Sequence, residues 1–167
     1  NLCTEIFLPT SAERTAVCCL SSVNLEYYDD WKNNEQFIPD VMEMLDNVVE
    51  YFITNAPKHI SRAVRSATAE RSVGLGSLGF HAYLQKNNMP IDGVMAKLTN
   101  KDIFAHINKE CARADNILVL KRGACPDASE FGIQRRFSHH MAIAPNASSS
   151  LIMGNTSPSV EPYRANV

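Results

Sequence analysis

Two short stretches carry residue types that could do chemistry at the spacing they have. In Asn1-Leu2-Cys3-Thr4-Glu5-Ile6, an extended strand would turn Asn1, Cys3 and Glu5 to one side and Leu2, Thr4 and Ile6 to the other. An amide, a thiol and a carboxylate would then stand in a row, roughly 7 Å between neighbours, close enough for all three to reach different atoms of one sugar-sized molecule. The same alternation also describes a half-buried strand with a polar outer face, and spacing alone leaves both readings open. The second stretch is Pro145-Asn146-Ala147-Ser148-Ser149-Ser150. Small residues between a strand and a helical turn let backbone N–H groups converge on an anion, with serine hydroxyls as further donors. A surface loop of small polar residues would look alike.

Other candidates are weaker. His139-His140 would point to opposite sides of a strand and have no carboxylate at ligand spacing, so a surface or core role is expected and no metal site. Gly74-x-Gly76-x-x-Gly79 matches a dinucleotide fingerprint by letter but lacks the acidic residue and second βαβ unit that would support it. The five cysteines, Cys3, Cys18, Cys19, Cys111 and Cys125, are odd in number and contain no C-x-x-C pair, which suits neither a disulfide framework nor zinc. Cys18 and Cys19 would face opposite ways on a strand, and a vicinal disulfide between them would need strained geometry. Cys111 falls on an apolar helical stripe, and Cys125 sits in a turn with no assigned role.

These residues need elements to hold them. The chain has 167 residues, 45% apolar and 20% charged, enough for a sizeable core of ordinary globular composition. Lys plus Arg number 16 against 18 Asp plus Glu, a net charge of -2, so there is no basic field for nucleic acid. Neither a long apolar run nor a secretory signal is present, which suggests no membrane and a cytoplasmic location. The first residue is not Met, and a strand-like segment begins at Leu2, as in a piece cut from a larger fold.

Strands are expected at Leu2–Leu8 and Ala16–Val23, as a hairpin or as neighbours. Apolar residues at three and four from Ile38 to Phe52 predict a helix over Pro39–Asn55, ending before Pro57. A strand over Ser72–Leu78 leads into a short helix carrying Phe80 to Leu84. Ile103 to Leu118 mark a long helix, capped by Asn100 and ended at Gly123. Met141–Ala144 is a brief strand, Leu151–Met153 one helical turn, and Gly154–Val167 has no period. Strands alternating with helices argue for an α/β unit.

Taken together, the residues around Cys3, the run Cys18-x-Leu20-Ser21-x-x-Asn24-Leu25, the stretch Arg71 to Phe80, Arg122-Gly123-Ala124-Cys125-Pro126, and Ala144 to Ser150 with Glu161-Pro162 resemble the large, catalytic subunit of ribonucleotide reductases. The five motifs occur in the family's order across nearly the whole chain. The resemblance implies that residues 1–167 are a single fragment of the family's ten-stranded α/β barrel, incomplete here, with the finger loop near 1–9 and a substrate-phosphate loop near 145–150. It implies radical reduction of ribonucleotides, diphosphates in the first instance, to deoxyribonucleotides. Cys3 would carry the thiyl radical, Glu5 would act as general base, and Asn1 would hold the sugar hydroxyls. Cys18 would be one of two reducing cysteines, its partner lying upstream of Asn1 in the family, and Cys19 a core residue. Pro145, Asn146, Ala147, Ser148 and Ser149 would bind the substrate phosphate. Relatives often carry Ser-Glu where this chain has Asn146-Ala147, a change that backbone donation survives.

The resemblance further implies no directly bound cofactor. The radical would come from a di-metal small subunit, with adenosylcobalamin as the alternative source. The implied partners are the rest of the large subunit, that small subunit, a thioredoxin- or glutaredoxin-type reductant and a second copy of the full chain. Expressed alone, a piece with open barrel edges is expected to be inactive and poorly soluble or oligomeric. A non-catalytic anion-binding or interaction domain that retained the fold is the alternative function.

Overall fold

The computed structural model describes residues 5–163. Its organising unit is a parallel strand pair, β1 (Cys19–Asn24) and β2 (Val73–Leu78), in register from Cys19 opposite Val73 to Asn24 opposite Leu78. Parallel neighbours need a long crossover, and here it is helical. A 3-10 turn (Leu25–Tyr27) and the single turn α1 (Tyr28–Trp31) lead to α2 (Phe37–Asn55) and α3 (Ser61–Glu70). After β2 come α4 (Phe80–Lys86), the 29-residue α5 (Val94–Arg122), α6 (Pro126–Glu130) and α7 (Ala147–Ile152).

Before α7 the chain returns alongside β2. Met141 bridges Leu75 in parallel, Val73 and Leu75 donate their N–H groups to the carbonyls of His139 and His140, and Ala142 donates to Leu75. The predicted strand at Met141–Ala144 is thus a third, barely formed parallel neighbour. With both edges covered, every residue of β2 is buried.

One face of this sheet lies under α2 and α5. Cys19, Val23, Val73 and Leu75 meet Ile38, Met42, Leu45 and Val49 from α2 and Ile103, Ile107, Cys111, Ala114 and Leu118 from α5. These helix positions recur at threes and fours, the spacing that gathers side chains on one stripe. Cys111 is fully buried there, and burial pushes its thiol up to about 12.

Several expectations need correction. Residues 5–8 of the segment expected as a strand are not in one, and they form no hairpin with β1 among the described residues; residues 1–4 lie outside the described residues. The approach to β1 is instead tied along α3, where Arg62 of its first turn bonds the Ala12 carbonyl and Arg14 bonds Glu70 at its end (2.8 Å) and Asp127 of α6 (2.6 Å). β1 also begins three residues later than Ala16. α5 begins at Val94, capped by Gly93, so Asn100 is interior. Its first turns expose Val94, Met95 and Leu98, which breaks the stripe that would have revealed them. α3 escapes a periodicity search because only Ser66, Ala67 and Glu70 are buried on it. The stretch 156–159, at the start of the aperiodic tail, is buried: Gly79 donates its N–H to the Ser157 carbonyl and Ser159 donates its hydroxyl to the Ala144 carbonyl.

The elements are locked by a buried ionic hub. Asp46 of α2 is fully buried and receives Arg71 (2.9 Å), Arg136 (3.0 Å) and Arg122 (2.6 Å). Arg136 also donates to the Arg122 and Gly123 carbonyls, closing the C-terminus of α5, and Asp115 accepts the N–H groups of Arg136 and Phe137. Burial pushes the Asp46 carboxyl up, but its bond to Arg136, the charge of Arg71 and its bond to Arg122 outweigh burial and hold it below the usual range.

Removing one member of a buried ion cluster strands the others. Asp46→Ala is expected to cost about 3–5 kcal/mol in denaturant unfolding of the polypeptide that carries this domain. Because the folded carboxyl titrates below its unfolded value of about 3.9, the stabilisation is complete above that value and is lost as pH falls through the folded one. The acid limb of wild-type unfolding should flatten in the variant.

Candidate functional site

The sheet face turned away from the helices carries the cleft. Since Cys19 and Val23 pack toward α2 and α5, alternation turns Cys18, Leu20 and Ser22 the other way. The packing agrees: a Cβ built on Gly74 would lie 2.5 Å from Leu20 Cδ2 and 3.5 Å from Cys18 Sγ. At the C-terminal ends of the strands this face opens into a cleft of about 420 Å³. Its walls come from Leu20 to Ser22 of β1, from Leu78 of β2, and from Ala144, Pro145, Asn146, Ser149 and Met153. Ligands of parallel α/β sheets sit at this end of the strands, and the volume is that of a small-molecule site.

The glycines of β2 make room for this arrangement. A Cβ on Gly76 would stand 2.3 Å from the Ala142 carbonyl oxygen, so only glycine lets the returning strand cross there. Gly79, at φ +79°, turns the chain into α4 where a side chain would strike Asn24. The letter match to a dinucleotide fingerprint is therefore strand and helix packing.

The loop that follows the third strand is pinned from below. Asn146 is buried, and its Nδ2 donates to the Ser77 carbonyl (3.0 Å) and the Ala144 carbonyl (2.8 Å). Both amide hydrogens are thus spent on holding the loop against the end of β2. Ser150 is buried too, its hydroxyl bonded to the Ala147 carbonyl (3.0 Å). Ala147, Ser148 and Ser149 are exposed on the first turn of α7, where backbone N–H groups lack intrahelical acceptors. The helical turn expected at Leu151–Met153 is the end of this longer element.

Of the residues singled out in the sequence, the cleft brings together Pro145, Asn146 and Ser149, on the same sheet face as Cys18. Ala147 and Ser148 do not line it. Glu5 is half-buried, with Oε2 enclosed and unpartnered among the described residues, and does not line the cleft either. Asn1 and Cys3 lie outside the described residues. Cys19 is a free thiol packed against the core, raised by burial, so it forms no vicinal disulfide. Cys125 is buried just ahead of α6, and burial raises it as well. His139 bonds Ser138 and His140 bonds Asn108; burial lowers both imidazoles. Among the described residues no group of three or more His, Cys, Asp or Glu could hold a metal, and no helix is long and apolar enough to cross a membrane.

Sequence reasoning did not single out Leu20, Ser21, Ser22, Leu78 or Met153 as cleft residues. Counting in twos from Cys18 would have found Leu20 and Ser22. Met153 is reached only through the fold: its carbonyl accepts from Asn24 (3.5 Å) across the cleft.

A parallel strand edge with helices outside and a cleft at the strand ends within is the architecture of part of an α/β barrel. Residues 1–135 match the family model described as ribonucleotide reductase, barrel domain, and the chain belongs to that family. It is 56% identical, over 167 residues, to the ribonucleoside-diphosphate reductase large subunit of Invertebrate iridescent virus 3, covering 100% of this chain and 26% of that one. The corresponding protein of Invertebrate iridescent virus 6 is 56% identical over 98% of this chain and 17% of its own length. Among solved structures, the Actinobacillus ureae class Id ribonucleotide reductase alpha subunit superposes with a TM-score of 0.93 at 42% identity, over 99% of this chain and 32% of that one. The chain thus spans about a quarter or less of these two viral relatives and about a third of the solved structure.

If Asn146 holds the loop, Asn146→Ala should free residues 144–150 with little effect elsewhere. Losing its two bonds, about 2 kcal/mol locally, predicts roughly 30-fold faster amide hydrogen exchange there, read by mass spectrometry. Unchanged exchange would show that the loop is held by other means.

Proposed function

We propose that this chain is the core of the catalytic site of a ribonucleoside-diphosphate reductase large subunit, an oxidoreductase that makes deoxyribonucleotides for DNA synthesis. The observation that carries the proposal is the cleft at the strand ends, in a chain of this family, with Cys18 on its sheet face and the loop 145–149 at its mouth. Relatives named for the diphosphate substrate support that substrate class.

In this reading residues 1–9 form the finger loop. The Cys3 thiyl takes the 3′ hydrogen of the ribose, a reasonable exchange because S–H and C–H bonds of this kind are of similar strength. Glu5 removes the 3′-hydroxyl proton while the 2′-hydroxyl leaves as water. Asn1 keeps the sugar hydroxyls aligned. Cys18 and a cysteine supplied from upstream of Asn1 deliver two electrons and two protons and end as a disulfide, which a thioredoxin- or glutaredoxin-type protein reduces. Hydrogen is then returned to C3′ and the Cys3 radical is restored. The phosphate rests on Pro145, Asn146, Ala147, Ser148 and Ser149, chiefly through backbone N–H groups, since the Asn146 amide hydrogens are already engaged.

Relatives named large or alpha subunits favour a radical delivered by a separate di-metal small subunit over adenosylcobalamin. Cytoplasmic placement and pairing of two full-length copies belong to the same proposal. The alternative, an anion-binding domain without chemistry, has no observation among the described residues that favours it.

The test is ribonucleoside diphosphate reduction by the full-length polypeptide containing this chain, supplied in turn with its small subunit and with adenosylcobalamin. Cys3→Ala should abolish deoxyribonucleotide formation, by at least about 1000-fold, without unfolding the protein. Undiminished turnover in that variant would sink the radical assignment, and the supplement that restores wild-type activity identifies the radical source.

A further inference from the structure

Ser22 is a cleft residue with no assigned role. It shares its sheet face with Cys18, four residues earlier, and lies about 13 Å further along the strand at the usual rise. Its partner in register is Gly76, which has no side chain to cover it. The residue is half-buried and lines the cleft with Asn146 and Ser149. Its hydroxyl has no hydrogen-bond partner among the described residues, whereas the hydroxyls of Ser150 and Ser159 nearby bond the carbonyls of Ala147 and Ala144.

This placement has a chemical meaning if Cys18 marks the ribose end and the loop 145–149 the phosphate end, which is the reading proposed above and on which this inference rests. A nucleotide stretched between them passes Ser22 at its 5′ side. The other hydroxyls in the wall are those of Ser149, on the loop itself, and Ser21, which strand alternation turns to the side of Leu75 and the helices; Leu20, Leu78, Pro145 and Met153 are apolar, and the Asn146 amide hydrogens are committed to backbone carbonyls. A partly desolvated hydroxyl there can rotate its hydrogen onto an anionic oxygen, a bond stronger than one between neutral groups.

We propose that Ser22 is a substrate-binding residue that donates its hydroxyl hydrogen to a phosphate oxygen of the ribonucleoside diphosphate, adding a contact from β1 to those of the loop. It takes no part in hydrogen or electron transfer, so it contributes to binding the substrate rather than to turnover.

Steady-state reduction of a ribonucleoside diphosphate by the full-length polypeptide with its radical-supplying partner tests this. Ser22→Ala should raise KM roughly tenfold, the scale of one bond from a hydroxyl to a charged group, with kcat within about twofold. Ser22→Thr, which keeps the hydroxyl, should recover most of the affinity. A Ser22→Ala enzyme with wild-type KM would overturn the inference, as would one in which kcat falls and KM does not rise. In either case wild-type turnover leaves the assigned reaction standing. A wild-type protein that binds the diphosphate but does not reduce it would overturn the proposed reaction instead, and equilibrium binding to Ser22→Ala would still decide the phosphate contact.

Discussion

The arrangement depends on one buried carboxylate. Asp46 sits at the middle of α2 and takes guanidinium groups from three separate parts of the chain: Arg71 at the entry to β2, Arg122 at the end of α5, and Arg136 at the start of the returning strand. A lone carboxylate without water would be costly. Three arginines make it tolerable, and Arg136, buried with Asp46 as its carboxylate partner, would be the one left most costly without it. The cluster therefore acts as a registration device: it fixes where β2 begins relative to α2 and where the third strand begins relative to β2. Those two settings determine where the cleft opens. Arg71 adopts φ +45° to reach it, an uncommon backbone for a residue with a side chain, which the ion pairs hold in place.

Much of this was legible in the sequence because it rests on spacing. The stripe from Ile38 to Phe52 placed α2 within two residues, the run Ser72–Leu78 gave β2, and alternation assigned Cys19 to the core. What escaped depends on contacts distant in sequence. α3 has few large apolar residues to mark its buried face, and Arg14 at Glu70 and Arg62 at Ala12 supply part of its attachment. The buried stretch 156–159 is mostly polar, and hydrogen bonds with Gly79, the start of α4 and the loop at 144–150 explain its burial. The parallel partner of β1 lies about a third of the chain away, Cys19 opposite Val73, beyond the reach of a local hairpin reading.

The candidate site divides in the same way. The loop at 145–150 could be read from small residues after a strand, yet nothing local shows that Asn146 turns its amide downward onto the Ser77 and Ala144 carbonyls. Its buried donors keep the loop's shape from below. The sheet face of Cys18 was open to simple counting, but its cleft neighbours became apparent only when the strand ends and α7 were set side by side.

The burial of β2 on both edges has a consequence for how the protein is made. Its first neighbour, β1, is synthesised before it, but the second, around His139 to Ala142, emerges only after all of α4, α5 and α6. Throughout that interval a glycine-rich strand presents an open row of amides and carbonyls, an invitation to pair with another chain. Contacts so far apart in sequence also close slowly. On the ribosome, completion of this strand is therefore a late event, and the time between the two pairings is when the nascent chain is most in need of a chaperone.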